Sequence, residues 1–121
     1  MSARTKGNAA ELRAQRELEA EGFLVHRAVQ SGYRVGGRWL SRSNDVFGLF
    51  DLVAVAGAEE VYHVRFVQVT TAGNASVRRK KILAMRHRFP AGCVRLELWV
   101  WHPGRPTKRA KLRQNWTKEV L

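Results

Sequence analysis

Two apolar segments in the middle of the chain have the pattern of neighbouring β-strands. Residues 49–55 and 61–70 are rich in Val, Phe and Tyr, and residues 56–60 between them have the composition of a turn. Strands joined by a short turn pair antiparallel, so the start of the first lies beside the end of the second. We therefore expect Asp51 and Gln68 to meet at one edge of a sheet.

A helix and a strand precede this pair. Good helix formers over residues 8–21 predict a helix, with Asn8 as its N-cap and Gly22 just past its end. The apolar run 23–29 predicts a strand. Glu11 lies near the apolar side of the helix, and two interpretations stay open: an inward-facing functional carboxylate, or a first-turn acid that complements the helix dipole.

Residues 30–43 are polar and contain glycine, and Gly36-Gly37 within them predicts a hairpin. Arginines alternate there with Tyr33 and Trp39, which suits phosphate contacts combined with stacking on exposed bases. A surface hairpin whose aromatic residues cover the core is an equally good interpretation.

The C-terminal third predicts a helix over residues 75–89, capped by Asn74 or Ser76, and a strand over residues 95–101. That strand places Trp99 and Trp101 on one face and leucines on the other, so both faces should be covered. Residues 116–121 predict a final edge strand. The order αβ(β)ββαβ(β) indicates an α/β or α+β fold with helices packed on a sheet.

Charge narrows the choice of partner. The chain has 121 residues, with 22 Lys and Arg against 10 Asp and Glu, for a net charge of +12. Its length predicts a single domain, 1–121, with a basic N-terminal tail (1–6) and a basic C-terminal extension (104–121). The charge favours nucleic acid as the partner, with a basic structural or ribosome-associated protein as the alternative. Without a long apolar run or a signal-peptide pattern, we expect no membrane contact and a cytoplasmic location, in the host cytoplasm if the protein is viral.

The second predicted helix carries an unusual run of cations in its first turns. The helix dipole disfavours positive charge there, so a phosphate nearby explains the run better than a solvated face does. The residues that we expect to contact nucleic acid are Lys6, Arg27, Arg34, Arg38, Arg42, Arg78, Arg79, Lys80 and Lys81.

The side chains of Glu11, Asp51 and Gln68, with the backbone carbonyl of Val69, make a set of oxygen ligands. Such hard ligands suit Mg²⁺ or Mn²⁺ rather than zinc. A bound divalent ion polarises a phosphodiester and makes hydroxide available at neutral pH. A lone Cys93 and histidines without ligand spacing argue against a zinc site, and the lack of a Gly-rich phosphate loop argues against an NTPase.

Four motifs follow one another along the chain: KGNAAE at residues 6–11, Arg27, GLFDLVA at residues 48–54 and FVQVT at residues 66–70. Their order resembles that of the PD-(D/E)xK nuclease superfamily and, within it, of the archaeal Holliday junction resolvases. The resemblance implies a restriction-endonuclease-like fold, with a mixed central β-sheet flanked by helices. It also implies a homodimeric, Mg²⁺-dependent endonuclease that cuts branched DNA in recombination and repair. By the same resemblance, Asp51 ligates the metal, Gln68 takes the place of the second acid, and Glu11 completes the site.

The chain departs from that pattern at two positions, because QxT replaces ExK. Gln68 keeps an oxygen ligand but removes a negative charge, and Thr70 replaces the lysine. Lys80 or Lys81 is a candidate replacement for the lysine, and Asp45 for the acid, although Asp45 also suits an Asx-turn. Three functions therefore remain: a metal-dependent endonuclease, a nucleic-acid-binding module on a nuclease fold that has lost its chemistry, or a basic structural or assembly protein.

Overall fold

The protein has an α+β fold built around a mixed five-stranded sheet. A computed structural model describes residues 3–29, 31–42, 45–55, 64–102 and 115–121. Its elements are α1 (Ala3–Ala20), β1 (Leu24–Arg27), β2 (Ser31–Val35), β3 (Arg38–Arg42), β4 (Leu52–Val55), β5 (Val64–Thr71), α2 (Ala75–Met85), β6 (Val94–Trp101) and β7 (Trp116–Val120). The strand order is β1-β4-β5-β6-β7, with only β5 and β6 parallel among these neighbours. The predicted helix-flanked sheet is confirmed at this level.

Helix α1 ends where the sequence predicts and begins earlier. Gly22 has a φ of 97°, its N–H donates to the carbonyl of Glu19 (3.0 Å), and the N–H of Phe23 donates to the carbonyl of Leu18 (3.1 Å). This is a Schellman motif, which glycine favours because it has no Cβ. The helix start at Ala3 makes the predicted N-cap at Asn8 wrong. It also assigns residues 3–6 to the helix rather than to a tail, because a capping preference is too weak to end a helix that its neighbours continue.

The sheet is covered on both faces. On one side α1 contributes Ala14 and Leu18 to a core with Val67, Val69 and the fully buried Trp99. On the other side lie residues of α2 and alternate positions of β6, namely Ala75, Ile82, Leu96, Leu98 and Val100, together with Phe50. The alternation predicted for β6 is confirmed, since neighbouring side chains of a strand point to opposite faces.

Strands β2 and β3 form a separate two-stranded sheet, as the Gly36-Gly37 signal predicts. The two glycines have φ values of 56° and 81°, which a two-residue type I′ turn requires. Arg34 and Arg38 flank this turn and are exposed. The side chains of Tyr33, Trp39 and Arg42, and that of Lys6 in α1, lie outside the described part of the structure, so their predicted contacts stay predictions.

The last elements differ from the predictions only at their ends. Helix α2 stops at Met85 and continues as a 3₁₀ turn, Arg86–Arg88, and Asn74 is its N-cap residue without a side-chain hydrogen bond. β7 is the predicted edge strand and contains part of the expected C-terminal extension; the predicted turn 56–60 and residues 103–114 lie outside the described residues. Within the described ranges no helix is long and apolar enough to cross a membrane.

Candidate metal centre

Asp51 and Gln68 meet as the hairpin pattern predicts. Leu52 pairs with Val67 in the antiparallel register of β4 and β5, so Asp51 faces Gln68 at the start of β4. The Gln68 Nε2 donates a 2.9 Å hydrogen bond to Asp51 Oδ2, and the Val69 N–H donates to the same oxygen at 2.8 Å. Both side chains are buried, with Asp51 5% and Gln68 3% exposed. The two donors fix the carboxylate against the sheet.

The amide of Gln68 has one unused oxygen. Its Nε2 also donates to the Val69 carbonyl at 3.0 Å, whereas its buried Oε1 has no hydrogen-bond partner among the described residues. A buried acceptor without a partner is costly. Turning the amide over does not remove that cost, because Oε1 would then face the oxygens of Asp51 and Val69. The structure therefore leaves an amide oxygen beside Asp51 that a cation or a donor would satisfy.

Glu11 joins this pair from α1. It shares a hydrogen bond with Asp51, and its Oε2 lies 3.7 Å from Nη1 of Arg27 on β1. Glu11 thus faces inward, and its functional role stays a prediction. The helix-dipole interpretation is wrong, because α1 starts at Ala3 and Glu11 lies about two turns inside it.

Burial and neighbouring carboxylates raise the pKa values of the two acids at this site. Burial raises the pKa of Asp51 to about 8; the charges of Glu11 and Asp45 raise it too, against the Val69 hydrogen bond and the charge of Arg78. Burial also raises the pKa of Glu11, with Arg27 and the Asp51 hydrogen bond opposing it and Asp45 adding to it. Without a cation, Asp51 and Glu11 therefore tend to hold a proton between them.

The donor set fits a hard divalent cation. Among the described residues no three His, Cys, Asp or Glu side chains form a group that could hold a metal ion. An ion bound by Asp51 and Glu11 would accordingly need a further ligand, and the unpaired Oε1 of Gln68 and the Val69 carbonyl are both oxygen donors. A set made only of oxygens is what Mg²⁺ and Mn²⁺ prefer.

Among the described residues, the cation that lowers the pKa of Asp51 is an arginine and not a lysine. Arg78, in the first turn of α2, lowers the pKa of Asp51. Lys80 and Lys81, the expected replacements for the family lysine, are exposed. The sequence predicted Arg78 only as a phosphate contact, although its position just after the strand of Gln68 indicated a closer role.

Other predicted residues take more varied places. Arg79 pairs with Glu119 of β7, Nη2 to Oε2 at 2.8 Å, so an anion of the protein itself accounts for that cation. Thr70 is 9% exposed and shares the sheet face of Gln68, two residues along β5. Asp45 acts on the pKa values of both Glu11 and Asp51, a closeness to the site that an Asx-turn role does not require.

Comparisons of this chain with protein-family models, with curated proteins and with solved structures found no match.

Proposed function

We propose that the protein is a metal-dependent endonuclease of restriction-endonuclease-like fold that hydrolyses phosphodiester bonds in branched DNA such as Holliday junctions. The observation that carries the proposal is the meeting of Asp51, Glu11 and the unpaired amide oxygen of Gln68 in one site, where Asp51 and Gln68 are buried. The chain around that site has a net charge of +12, which favours a polyanionic substrate.

Each residue has a separate task in this proposal. Asp51, Glu11, Gln68 Oε1 and the Val69 carbonyl would hold Mg²⁺ or Mn²⁺, which when bound polarises the phosphodiester and acidifies a water molecule. Asp51 and Glu11 give up their shared proton as the site fills, because a cation favours both ionised carboxylates. Arg27 holds Glu11 in place by their ion pair.

Arg78 takes the task that the family pattern gives to a lysine. Its charge reaches Asp51, and a guanidinium there stabilises the negative charge that develops on the scissile phosphate. Thr70 offers only a hydroxyl at the lysine position and is nearly buried.

Exposed cations of the hairpin and of α2 hold the DNA backbone in this proposal. Arg34 and Arg38 project from the β2-β3 hairpin, and Lys80 and Lys81 from α2. A homodimer would present two such sites to the two strands cut at a four-way junction. Sedimentation velocity, with and without DNA, measures that stoichiometry.

The test compares a four-way junction with linear duplexes of the same arm sequences, each with Mg²⁺ or Mn²⁺. We expect cleavage of the junction by the wild type and none by Asp51→Asn, which keeps the acceptor for Val69 but not the charge. Arg79→Ala, which removes a cation of the same helix paired with Glu119, is the matched control and should still cleave. No cleavage by the wild type, or equal cleavage by Asp51→Asn, contradicts the proposal.

A second function has its own support. Thr70 is buried where a lysine is expected, and the Gln68 amide donates to the carboxylate that would bind metal. These two features suit a module that binds nucleic acid without cutting it. Calorimetric titration of Mg²⁺ and Mn²⁺, with and without junction DNA, separates the two functions: the module binds DNA but neither ion.

A further inference from the structure

Phe47 is an exposed aromatic residue held in an unfavourable backbone conformation. Its φ is 57°, the one positive φ outside glycine among the described residues, and 67% of its surface is exposed. The turn that holds it is closed by backbone hydrogen bonds, from the Val46 N–H to the Phe50 carbonyl (2.8 Å) and from the Leu49 N–H to the Val46 carbonyl (3.0 Å). A bulky residue rarely adopts this conformation, and strain of this kind concentrates at functional sites.

Two other aromatic rings pack against the Phe47 ring. The Phe66 and Phe89 rings lie 5.8 and 5.6 Å from the Phe47 ring, centroid to centroid, both in edge-to-face geometry. Phe50, fully buried, packs against the same two rings. These contacts hold one side of the Phe47 ring while leaving most of its surface to solvent. A ring fixed in advance loses little conformational entropy when it binds.

The ring lies on the same face of the sheet as Gln68 of the candidate metal centre. Phe66 and Gln68 are alternate residues of β5, so they point the same way and are roughly 7 Å apart along the strand. Asp45, at the start of the Phe47 turn, acts on the pKa values of Asp51 and Glu11. Phe47 thus packs on Phe66, the residue that precedes Gln68 on the same face of β5.

The surroundings of Phe47 favour nucleic acid over a second copy of the chain. His87 and Arg88, exposed in the 3₁₀ turn, directly precede its supporting ring Phe89. A polyanion is attracted to this basic surface, whereas a second copy that brought the same surface against it would be repelled.

We propose that Phe47 stacks on an unpaired base adjacent to the phosphodiester held at the Asp51–Gln68 site. This inference rests on the proposed function and specifies its substrate as DNA with unstacked nucleotides at the point of cleavage. Aromatic rings bind such bases because every base has a stacking face, and apolar wedges also hold opened base steps apart.

The experiment measures binding to two DNAs, a junction that carries 2-aminopurine at an unpaired branch-point position and a fully paired duplex. The protein is the full chain with Asp51→Asn, in Ca²⁺, so that binding is read without cleavage. Phe47→Asn removes the ring and suits a positive φ, whereas Phe47→Trp keeps a stacking surface. Leu24→Ala, at a residue 77% exposed on β1, is the matched control.

We expect Phe47→Asn to weaken binding of the junction by about 5- to 150-fold and binding of the duplex by less than about twofold. Phe47→Trp and Leu24→Ala should bind both DNAs like the Asp51→Asn parent. An equal change on both DNAs, or no change, overturns the inference, as does a dimer that becomes a monomer in Phe47→Asn without loss of junction selectivity. The readout here is binding, so a negative result does not contradict cleavage by the wild type. Equally, absence of cleavage by the wild type does not prevent this difference in binding from being measured.

Discussion

The amide of Gln68 donates a 2.9 Å hydrogen bond to the carboxylate of Asp51, across paired strands β4 and β5. In the nuclease superfamily that this sequence resembles, an acid occupies the position of Gln68. The amide relieves the repulsion that a second carboxylate would bring, and it leaves its own oxygen without a partner among the described residues. This hydrogen bond therefore stabilises the metal-free protein. Gln68 also leaves the site with less negative charge to attract a cation than an acid would.

Replacing Gln68 by an acid should lower the stability of the metal-free protein and raise its affinity for a metal ion. We expect Gln68→Glu to lower the melting temperature of the metal-free protein at pH 8, because its charge adds to those of Asp51 and Glu11. In return, Mn²⁺ affinity should rise roughly tenfold or more, since an added carboxylate ligand strengthens binding. Thermal unfolding with and without Mn²⁺ measures both effects. Gln68→Met, of similar size but without an oxygen, should gain no affinity; a gain there contradicts the role of the oxygen ligand.

The stability of the metal-free protein should fall as pH rises. Asp51 has a pKa near 3.8 in the unfolded chain and about 8 in the folded protein, so between these values the unfolded state binds fewer protons. The free energy of unfolding therefore decreases with pH across this window and the favourable contribution is lost by about pH 8. At about 1.4 kcal/mol per pKa unit the change amounts to several kcal/mol.

Urea unfolding at pH 4 to 9 measures this dependence. Asp51→Asn should flatten the profile and make the metal-free protein more stable at pH 8. Glu19→Gln, which removes an exposed acid of α1, should unfold with the pH profile of the wild type. A profile in Asp51→Asn as steep as that of the wild type contradicts the prediction.

Arg78 and Arg79 are adjacent on α2 but should differ in function. Arg78 acts on Asp51, so Arg78→Ala should lower the rate of junction cleavage about 100-fold, the usual effect of removing one charge-stabilising donor. Arg79 pairs with Glu119 at the surface, and Arg79→Ala should change the rate little and lower the free energy of unfolding only slightly, because solvent screens an exposed ion pair. Single-turnover cleavage and urea unfolding of both variants test the contrast, and equal rates refute it.

A buried ion pair away from the candidate site should stabilise the fold more than an exposed ion pair does. Glu97, 1% exposed on β6, accepts hydrogen bonds from Arg65 Nε (2.5 Å), Arg65 Nη2 (2.8 Å) and Trp99 Nε1 (3.1 Å). Glu97→Ala leaves the partly buried Arg65 without that carboxylate, and we expect a loss of about 3–5 kcal/mol. Glu119→Ala, which breaks the more exposed pair with Arg79, should cost much less, because solvent screens that pair. Urea unfolding that gives similar losses for both variants contradicts this ranking.

Local patterns were enough to predict much of the fold. Two apolar runs separated by turn residues predicted the pairing of β4 and β5, and with it the contact of Asp51 with Gln68. Gly36-Gly37 predicted the β2-β3 hairpin, and Gly22 the end of α1. These features depend on residues near one another in the chain and on backbone conformations that few residue types adopt.

Other features depend on how distant elements pack, which local patterns do not specify. That Arg78 acts on Asp51, that Arg79 pairs with Glu119, and that Glu97 is buried with Arg65 all follow from the packing of α2 and from the parallel pairing of β5 with β6. Burial then sets the pKa of Asp51, because desolvation is a property of the assembled core and not of neighbours in sequence. Residue order thus placed an acid beside an amide, whereas tertiary packing supplied the second carboxylate, the arginine and the buried environment that give the pair its chemistry.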